Sequence, residues 1–306
     1  MSFLIHRLSP LLLSRLLSQR ERMRIVSSKC HFARCGFALL SCFVLPPSWA
    51  DESVVNEIHR RHVTALLTTV DGDPLGSGVV VGYRNGGYLV ATSQHVVEGL
   101  QRVCVSRFDA RATAAHVLRP TGKNQQTKSV DLALVWQPDS LNSAEKRKTP
   151  VVANIDGPPP SLAEFPLVTA SGFPTPSQAS LTAPQYTEAS GLLLPLLAKP
   201  LQGGFDLTST AAVRKGMSGG GVFLDDRLIG INGTHADPLW PGALLDETGQ
   251  PVGVLLNRKL ELVSLGLSVS NVRKALKVAA IPTPNEQKGL ASLPCGSRSP
   301  AQQPAR

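Results

Sequence analysis

Short apolar runs broken by Gly, Pro, Asn and Asp dominate this chain, and they constrain its fold more than any other feature. Six lie before residue 140: Val63–Val70, Gly78–Tyr83, Tyr88–Thr92, Val103–Phe108, Ala112–Leu118 and Leu132–Gln137. Each is strand-length and ends on turn-forming residues. A polar link, Pro138–Thr149, follows, and its run Glu145-Lys146-Arg147-Lys148 reads as a solvated loop. A second set then comprises Leu167–Ser171, a stretch near Gln185–Leu194, Phe205–Thr210, Gly221–Leu224, Leu228–Asn232, Val252–Leu256 and Leu260–Val269. Two successive sets without alternating helices predict an all-β fold of two packed, antiparallel, six-stranded β-barrels. The first spans about 62–138 and the second about 150–269. A helical stretch, Glu52–Arg61, precedes them. A C-terminal helix over about 270–280 follows, with Ser270 as N-cap and Val272, Leu276 and Ala279 on one face. From 282 to 306 the chain is rich in Pro, Ser, Gln and Gly, and disorder is expected there.

The first fifty residues are of a different kind. Arg22, Arg24, Lys29 and Arg34 lead into the ten-residue apolar stretch Gly36–Leu45, then Pro46-Pro47 and Ser48-Trp49-Ala50 before Asp51-Glu52. A basic region, a short apolar core and a small-x-small site describe an export signal, with cleavage expected between Ala50 and Asp51. The apolar core is too short to span a bilayer as a helix, so no stable membrane span is expected after cleavage. Met23 would open a signal of ordinary length, and the expectation is that the true start lies there. The domain that remains runs from 51 to 281, in a protein exported to a periplasm, a lumen or the medium.

Charge and cysteine usage narrow the function classes. The whole chain carries +9, but residues 1–50 hold seven Lys/Arg against one acid; removing that +6 leaves +3. The basicity belongs mainly to the signal and gives no case for nucleic-acid binding. Cys30, Cys35 and Cys42 also lie in the signal, leaving Cys104 and Cys295, which imply no disulfide framework. Zinc-site spacings are absent, and His59-Arg60-Arg61-His62 lacks a third ligand, so a solvated helix face accounts for it. No metal and no cofactor are expected.

The chemistry concentrates at Gly216-Met217-Ser218-Gly219-Gly220-Gly221. Glycine frees the backbone for a tight turn, which would aim the N–H groups of Gly216 and Ser218 at one point, as an oxyanion requires. A serine hydroxyl there needs a base, and the base needs an orienting acid. His95 closes the apolar run Tyr88–Val97 at a strand end, a rigid mount for an imidazole. Asp131 opens the apolar strand Val130–Val135; a carboxylate there is costly to bury unless it accepts hydrogen bonds, and an imidazole N–H would supply one. Taken singly, His95 reads as a surface histidine and Asp131 as a turn residue.

Their order along the chain is His95, Asp131, Ser218, that of the trypsin-like, chymotrypsin-fold serine proteases. Thr92-Ser93-Gln94-His95-Val96-Val97 resembles the family's T-A-x-H-V segment, Asp131-Leu132-Ala133-Leu134 its D-L-A-L, and Gly216-Met217-Ser218-Gly219-Gly220 its G-x-S-G-G. Gly76-Ser77-Gly78, Gly172-Phe173-Pro174 and Leu228-Ile229-Gly230-Ile231 are smaller echoes. The resemblance runs from about Val63 to Ala280 and is best to the compact bacterial branch. It implies a serine endopeptidase with protein or peptide substrates. Ser218 would be the nucleophile, His95 the base, Asp131 its orienting acid, and the Gly216 and Ser218 N–H groups the oxyanion hole. Animal digestive members carry an Asp before the serine; Met217 stands there, which implies no such zymogen switch. The usual Pro after Ser-Gly-Gly is Gly221. Alignment through the motif puts the base of the specificity pocket at Ala212 and its wall at Asn232, Gly233 and Thr234, with His235 beyond. No carboxylate sits at the base, so an uncharged side chain is expected in the pocket.

Gly216-x-Ser218-x-Gly220 also fits the nucleophile elbow of α/β-hydrolases. Those enzymes need Ser, then acid, then His. Only His235 follows Ser218, and strands do not alternate with helices here. A catalytically silent trypsin-fold scaffold is the other alternative; the intact His95, Asp131 and Ser218 argue against it.

Overall fold

The computed structural model describes residues 49–108, 111–118, 130–139, 149–176, 183–234, 243–283 and 294–296. The expected export signal up to residue 48, the charge run at 145–148 and His235 lie outside the described residues.

The first described element is helix α1, Trp49–Val63, longer than the expected stretch and spanning the expected cleavage site. The first barrel consists of β1 Thr64–Thr68, β2 Pro74–Arg84, β3 Gly87–Thr92, β4 Arg102–Arg107, β5 Thr113–Leu118 and β6 Ala133–Pro138. The second consists of β7 Leu167–Gly172, β8 Thr187–Leu194, β9 Leu207–Ser209, β10 Gly221–Leu224, β11 Arg227–Asn232 and β12 Ser264–Ser268. The sheets close in the orders β1-β2-β3-β6-β5-β4 and β10-β11-β12-β9-β8-β7. Read from β7, the second order repeats the first, so both halves share one topology. Local sequence makes the hairpins. Asn85-Gly86 joins β2 to β3 with both residues at positive φ, as a two-residue turn between twisted strands requires. Asp225 takes the same left-handed region between β10 and β11.

Two helices stand where strands were expected or adjoin them. Val252–Leu256 reads as a strand, yet Val254–Leu260 is helix α2. Val254 and Leu255 are exposed, while Leu260 is buried and Leu256 partly so, packed with Leu201, Val263 and Leu265. The helical turn brings Leu256 and Leu260, four residues apart, onto the face that packs there. The expected strand Leu260–Val269 shortens to β12 accordingly. Helix α3, Val269–Val278, has Ser268 rather than Ser270 at its N-cap position and buries Val272 and Leu276 against β6, β11 and β12. Those two side chains join one apolar core that takes Leu67, Leu89 and Trp136 from the first barrel and Phe223, Ile231 and Leu267 from the second. Among the described residues no helix is long and apolar enough to cross a membrane.

Buried polar bonds fix the two barrels to each other. Arg60 of α1 bonds both carboxylate oxygens of Glu188 on β8, each at 2.9 Å, and the Asp225 carbonyl at 3.0 Å. Thr64 and Ser171 share a hydroxyl bond at 2.8 Å.

Of the tail, Pro294–Gly296 is described, and it is anchored. Cys295 is joined by a disulfide to Cys104 on β4, with Cα atoms 5.9 Å apart, and the Gly296 N–H donates to the Val70 carbonyl at 2.8 Å. The bond closes a sequence separation of 191 residues. Cys295→Ser is expected to lower the unfolding free energy by about 2–4 kcal/mol, because the cross-link restricts the unfolded chain. Urea titration with and without reductant checks this, the variant matching the reduced parent.

Candidate active site

The site is assembled by short loops at the junction of the barrels. His95 sits in a 3₁₀ turn, Gln94–Val96, directly after β3, so the strand end expected to mount it does so. Asp131 precedes β6, and its N–H donates to the Gly203 carbonyl of the second barrel at 2.8 Å. Both oxygens of the Asp131 carboxylate engage His95. Oδ1 accepts the His95 main-chain N–H at 2.9 Å, and Oδ2 meets the ring Nδ1 at 2.8 Å. The carboxylate therefore fixes the backbone and the imidazole together. The Asp131 side chain is 14% exposed and that of His95 47%, so the acid is sheltered and the ring faces out. The hydrogen bond that the ring donates to Asp131 raises the His95 pKa above its usual 6.5; partial burial opposes this, and the charges of Asp131 and Glu98 add to it.

Ser218 lies in the turn before β10 and is half-buried. Its carbonyl accepts the Ser77 N–H at 2.9 Å, while the Ser77 hydroxyl donates to the Gly216 carbonyl at 2.7 Å. Ser93, two residues before His95, donates its hydroxyl to the Asn232 carbonyl at 3.0 Å, which also accepts the Gly219 N–H at 2.7 Å. The serine turn is thus stitched to β2 and to the His95 segment. Among the described residues the Ser218 hydroxyl makes no hydrogen bond to His95. Catalytic bonds of this kind are often long until substrate binds.

The glycine frame has a local explanation. Gly216 has φ +91°, and a Cβ there would stand 2.6 Å from the Phe173 carbonyl oxygen. Gly219 has φ +84°, and a Cβ there would stand 2.2 Å from the Ser77 carbonyl oxygen and 2.3 Å from Thr92 Oγ1. Only glycine lets the turn press this closely on the first barrel. Gly219→Ala is expected to cost about 2–5 kcal/mol, from overpacking of about 1–3 and left-handed backbone of about 1–2. Denaturant midpoints check it, and a loss under about 1 kcal/mol would contradict the close approach. Met217 is fully buried among Ala170, Ala211 and Val213, so its side chain roots the turn in an apolar cluster. Among the described residues neither the Gly216 nor the Ser218 N–H has an intramolecular acceptor. Two donors flanking one buried residue are free to meet an oxygen from outside.

The remaining residues read from the sequence fall as follows. Ala212 is exposed and adjoins the turn. Asn232 is 1% exposed, and its side-chain amide donates to the carbonyls of Ser171, at 2.9 Å, and Met217, at 3.3 Å, bracing the serine turn from within. Gly233 and Thr234 continue the pairing of β11 with β12 through Leu265. The bracing roles of Ser77 and Asn232 are not visible in the sequence. Gly76-Ser77-Gly78 is the one signal for the first, and nothing marks the second.

Two closed barrels of one topology, with a histidine–carboxylate pair and a glycine-framed serine at their junction, define the chymotrypsin-like class of fold. The family model described as trypsin-like peptidase domain matches residues 76–231, just over half of the chain, and the chain belongs to that family. Among solved structures it is similar to the serine endoprotease from Yersinia pestis, at 17% identity and a TM-score of 0.48. That match covers 76% of this chain and 66% of the Yersinia chain, so this chain spans just under two thirds of its length. It is also similar to the Rv3671c protease in its inactive form, at 18% identity and a TM-score of 0.48, covering 76% of this chain and 98% of that one. A search of curated proteins finds no match.

Proposed function

We propose that the protein is an exported serine endopeptidase that cleaves peptide bonds through His95, Asp131 and Ser218. The observation that carries this reading is the double engagement of Asp131, one oxygen on the His95 main chain and the other on Nδ1. That arrangement leaves Nε2 as the proton acceptor. His95 Nε2 takes the Ser218 proton as Oγ attacks the scissile carbonyl. The Gly216 and Ser218 N–H groups receive the oxyanion, where one donor contributes roughly 3–4 kcal/mol to the transition state. His95 then returns the proton to the leaving amine, and water removes the acyl group by the same path. The side chain before the scissile bond lies against Ala212, Gly233 and Thr234, which offer it no carboxylate, so an uncharged residue is preferred there. Export is supported by the signal-like first fifty residues and by the Cys104–Cys295 pairing, which suits an oxidising compartment.

An active-site-directed fluorophosphonate tests the reading. It is expected to label the folded protein once, on Ser218 as mapped by peptide mass spectrometry. A cooperatively folding preparation that takes no label would favour the silent scaffold.

A further inference from the structure

A second concave site lies where α1, β1 and β4 meet the segment leading into β8. It is a cavity of about 280 Å³, walled by Arg61, Leu66, Arg107, Phe108, Phe173 and Tyr186. Its chemistry is aromatic and cationic together. The Arg61 guanidinium carbon stands 4.5 Å from the centre of the Phe108 ring and 5.7 Å from that of Tyr186. That of Arg107 stands 3.7 Å from the centre of the Tyr88 ring. Among the described residues neither arginine has an acidic partner. The nearby Glu188 is already held on both oxygens by Arg60 and also accepts the Tyr186 hydroxyl. Burial and that bond to Glu188 push the Tyr186 pKa upward, so its ring brings no negative charge.

Arg107 carries the sharpest signal. Its Nε is buried and, among the described residues, has no hydrogen-bond acceptor. A buried donor without a partner is costly, and native structures rarely tolerate one. Among the described residues Arg107 lines the cavity without an acidic partner, and its planar guanidinium fork suits an incoming carboxylate. Phe108, Phe173 and Tyr186 offer edges and faces to a further ring. The volume falls just below the usual range for small-ligand sites, about 300–1,000 Å³, which suits one large side chain and a chain end. Phe173 also belongs to the serine turn's support. Its N–H donates to the Ser77 hydroxyl at 2.8 Å, and that hydroxyl holds the Gly216 carbonyl.

We infer that this cavity anchors a peptide by its C-terminal carboxylate together with an aromatic last residue. The inference rests on the peptidase reading only in naming a peptide as the ligand.

Calorimetric titration of the full-chain Ser218→Ala protein, which cannot consume the probe, tests it. The probes are N-acetyl-glycyl-phenylalanine with a free carboxylate, the same dipeptide as its C-terminal amide, and inorganic phosphate. The acid is expected to bind at least tenfold more tightly than the amide or phosphate. Arg107→Gln and Arg61→Gln are each expected to weaken it by tenfold or more, while Arg102→Gln on the exposed part of β4 leaves it unchanged. Arg61 is exposed on α1, so its variant carries the test if Arg107→Gln fails to fold. Equal binding of acid and amide, tighter binding of phosphate, or indifference to Arg61→Gln overturns the proposal. Binding by the Ser218→Ala protein is independent of turnover, so loss of fluorophosphonate labelling and loss of this site are separate outcomes.

Discussion

Ser218→Ala is expected to lower kcat/KM for peptide hydrolysis by about six orders of magnitude while moving the unfolding free energy by no more than about 0.5 kcal/mol. The two halves of that expectation come from different atoms. The hydroxyl is the proposed nucleophile, and without it no acyl-enzyme forms. The same hydroxyl makes no hydrogen bond to His95, and the turn is held by main-chain groups: the Ser218 carbonyl on Ser77, Gly219 on Asn232, and the Gly216 carbonyl on the Ser77 hydroxyl. Alanine keeps all of these and leaves no buried donor orphaned. The remaining rate comes from the free N–H groups of Gly216 and of residue 218, which alanine retains. Residues acting as a unit are not additive, so adding His95→Ala to Ser218→Ala is expected to cost almost nothing more. Steady-state hydrolysis of a quenched peptide library, with denaturant midpoints alongside, measures both. A loss below about a hundredfold would take Ser218 out of the nucleophile's role.

The fold was legible wherever local chemistry and long-range pairing agree. Apolar runs ending in turn residues, such as Tyr88–Thr92 after Asn85-Gly86, became strands close to their expected bounds because the turn fixes the register. Val252–Leu256 failed for the opposite reason. A short apolar run has no period of its own, and only the tertiary neighbours Leu201, Val263 and Leu265 select the helical face of Leu256 and Leu260. The pairing of Cys104 with Cys295 was equally hidden, since one lies in a strand and the other in a Pro/Gly/Ser-rich tail. At the site, residue types and their order named His95, Asp131 and Ser218, and the structure joins the first two by hydrogen bonds. What the sequence withheld was the bracing: Ser77, Ser93 and Asn232 act through main-chain carbonyls whose positions exist only after both barrels close.

Asp131→Asn is expected to reduce kcat/KM by about four orders of magnitude, through the tautomer of His95 rather than through the fold. The carboxylate presents two acceptors to two donors, the His95 main-chain N–H and the ring Nδ1–H. An asparagine side chain has one acceptor and one donor group. If its oxygen keeps the main-chain N–H, its amine faces Nδ1, and the ring must carry its proton on Nε2. That is the nitrogen that has to accept the Ser218 proton, so general-base catalysis stops. The fold persists because the Asp131 main-chain N–H still donates to the Gly203 carbonyl, a bond the substitution does not touch. A change in pH dependence accompanies the loss. Asp131 is the largest cause of the raised His95 pKa, so the acid limb of the parent's activity lies above pH 6.5 and moves to lower pH in the variant, where the neutral ring forms earlier. The same shift makes the pair's contribution to folding complete below about pH 6.5, and that contribution fades as pH rises through the folded value. Titration of the His95 ring by NMR reads the shift directly, and pH–rate profiles read it through catalysis. Near-parental turnover, or an unmoved ring pKa, would remove Asp131 from the chemistry however close it stands.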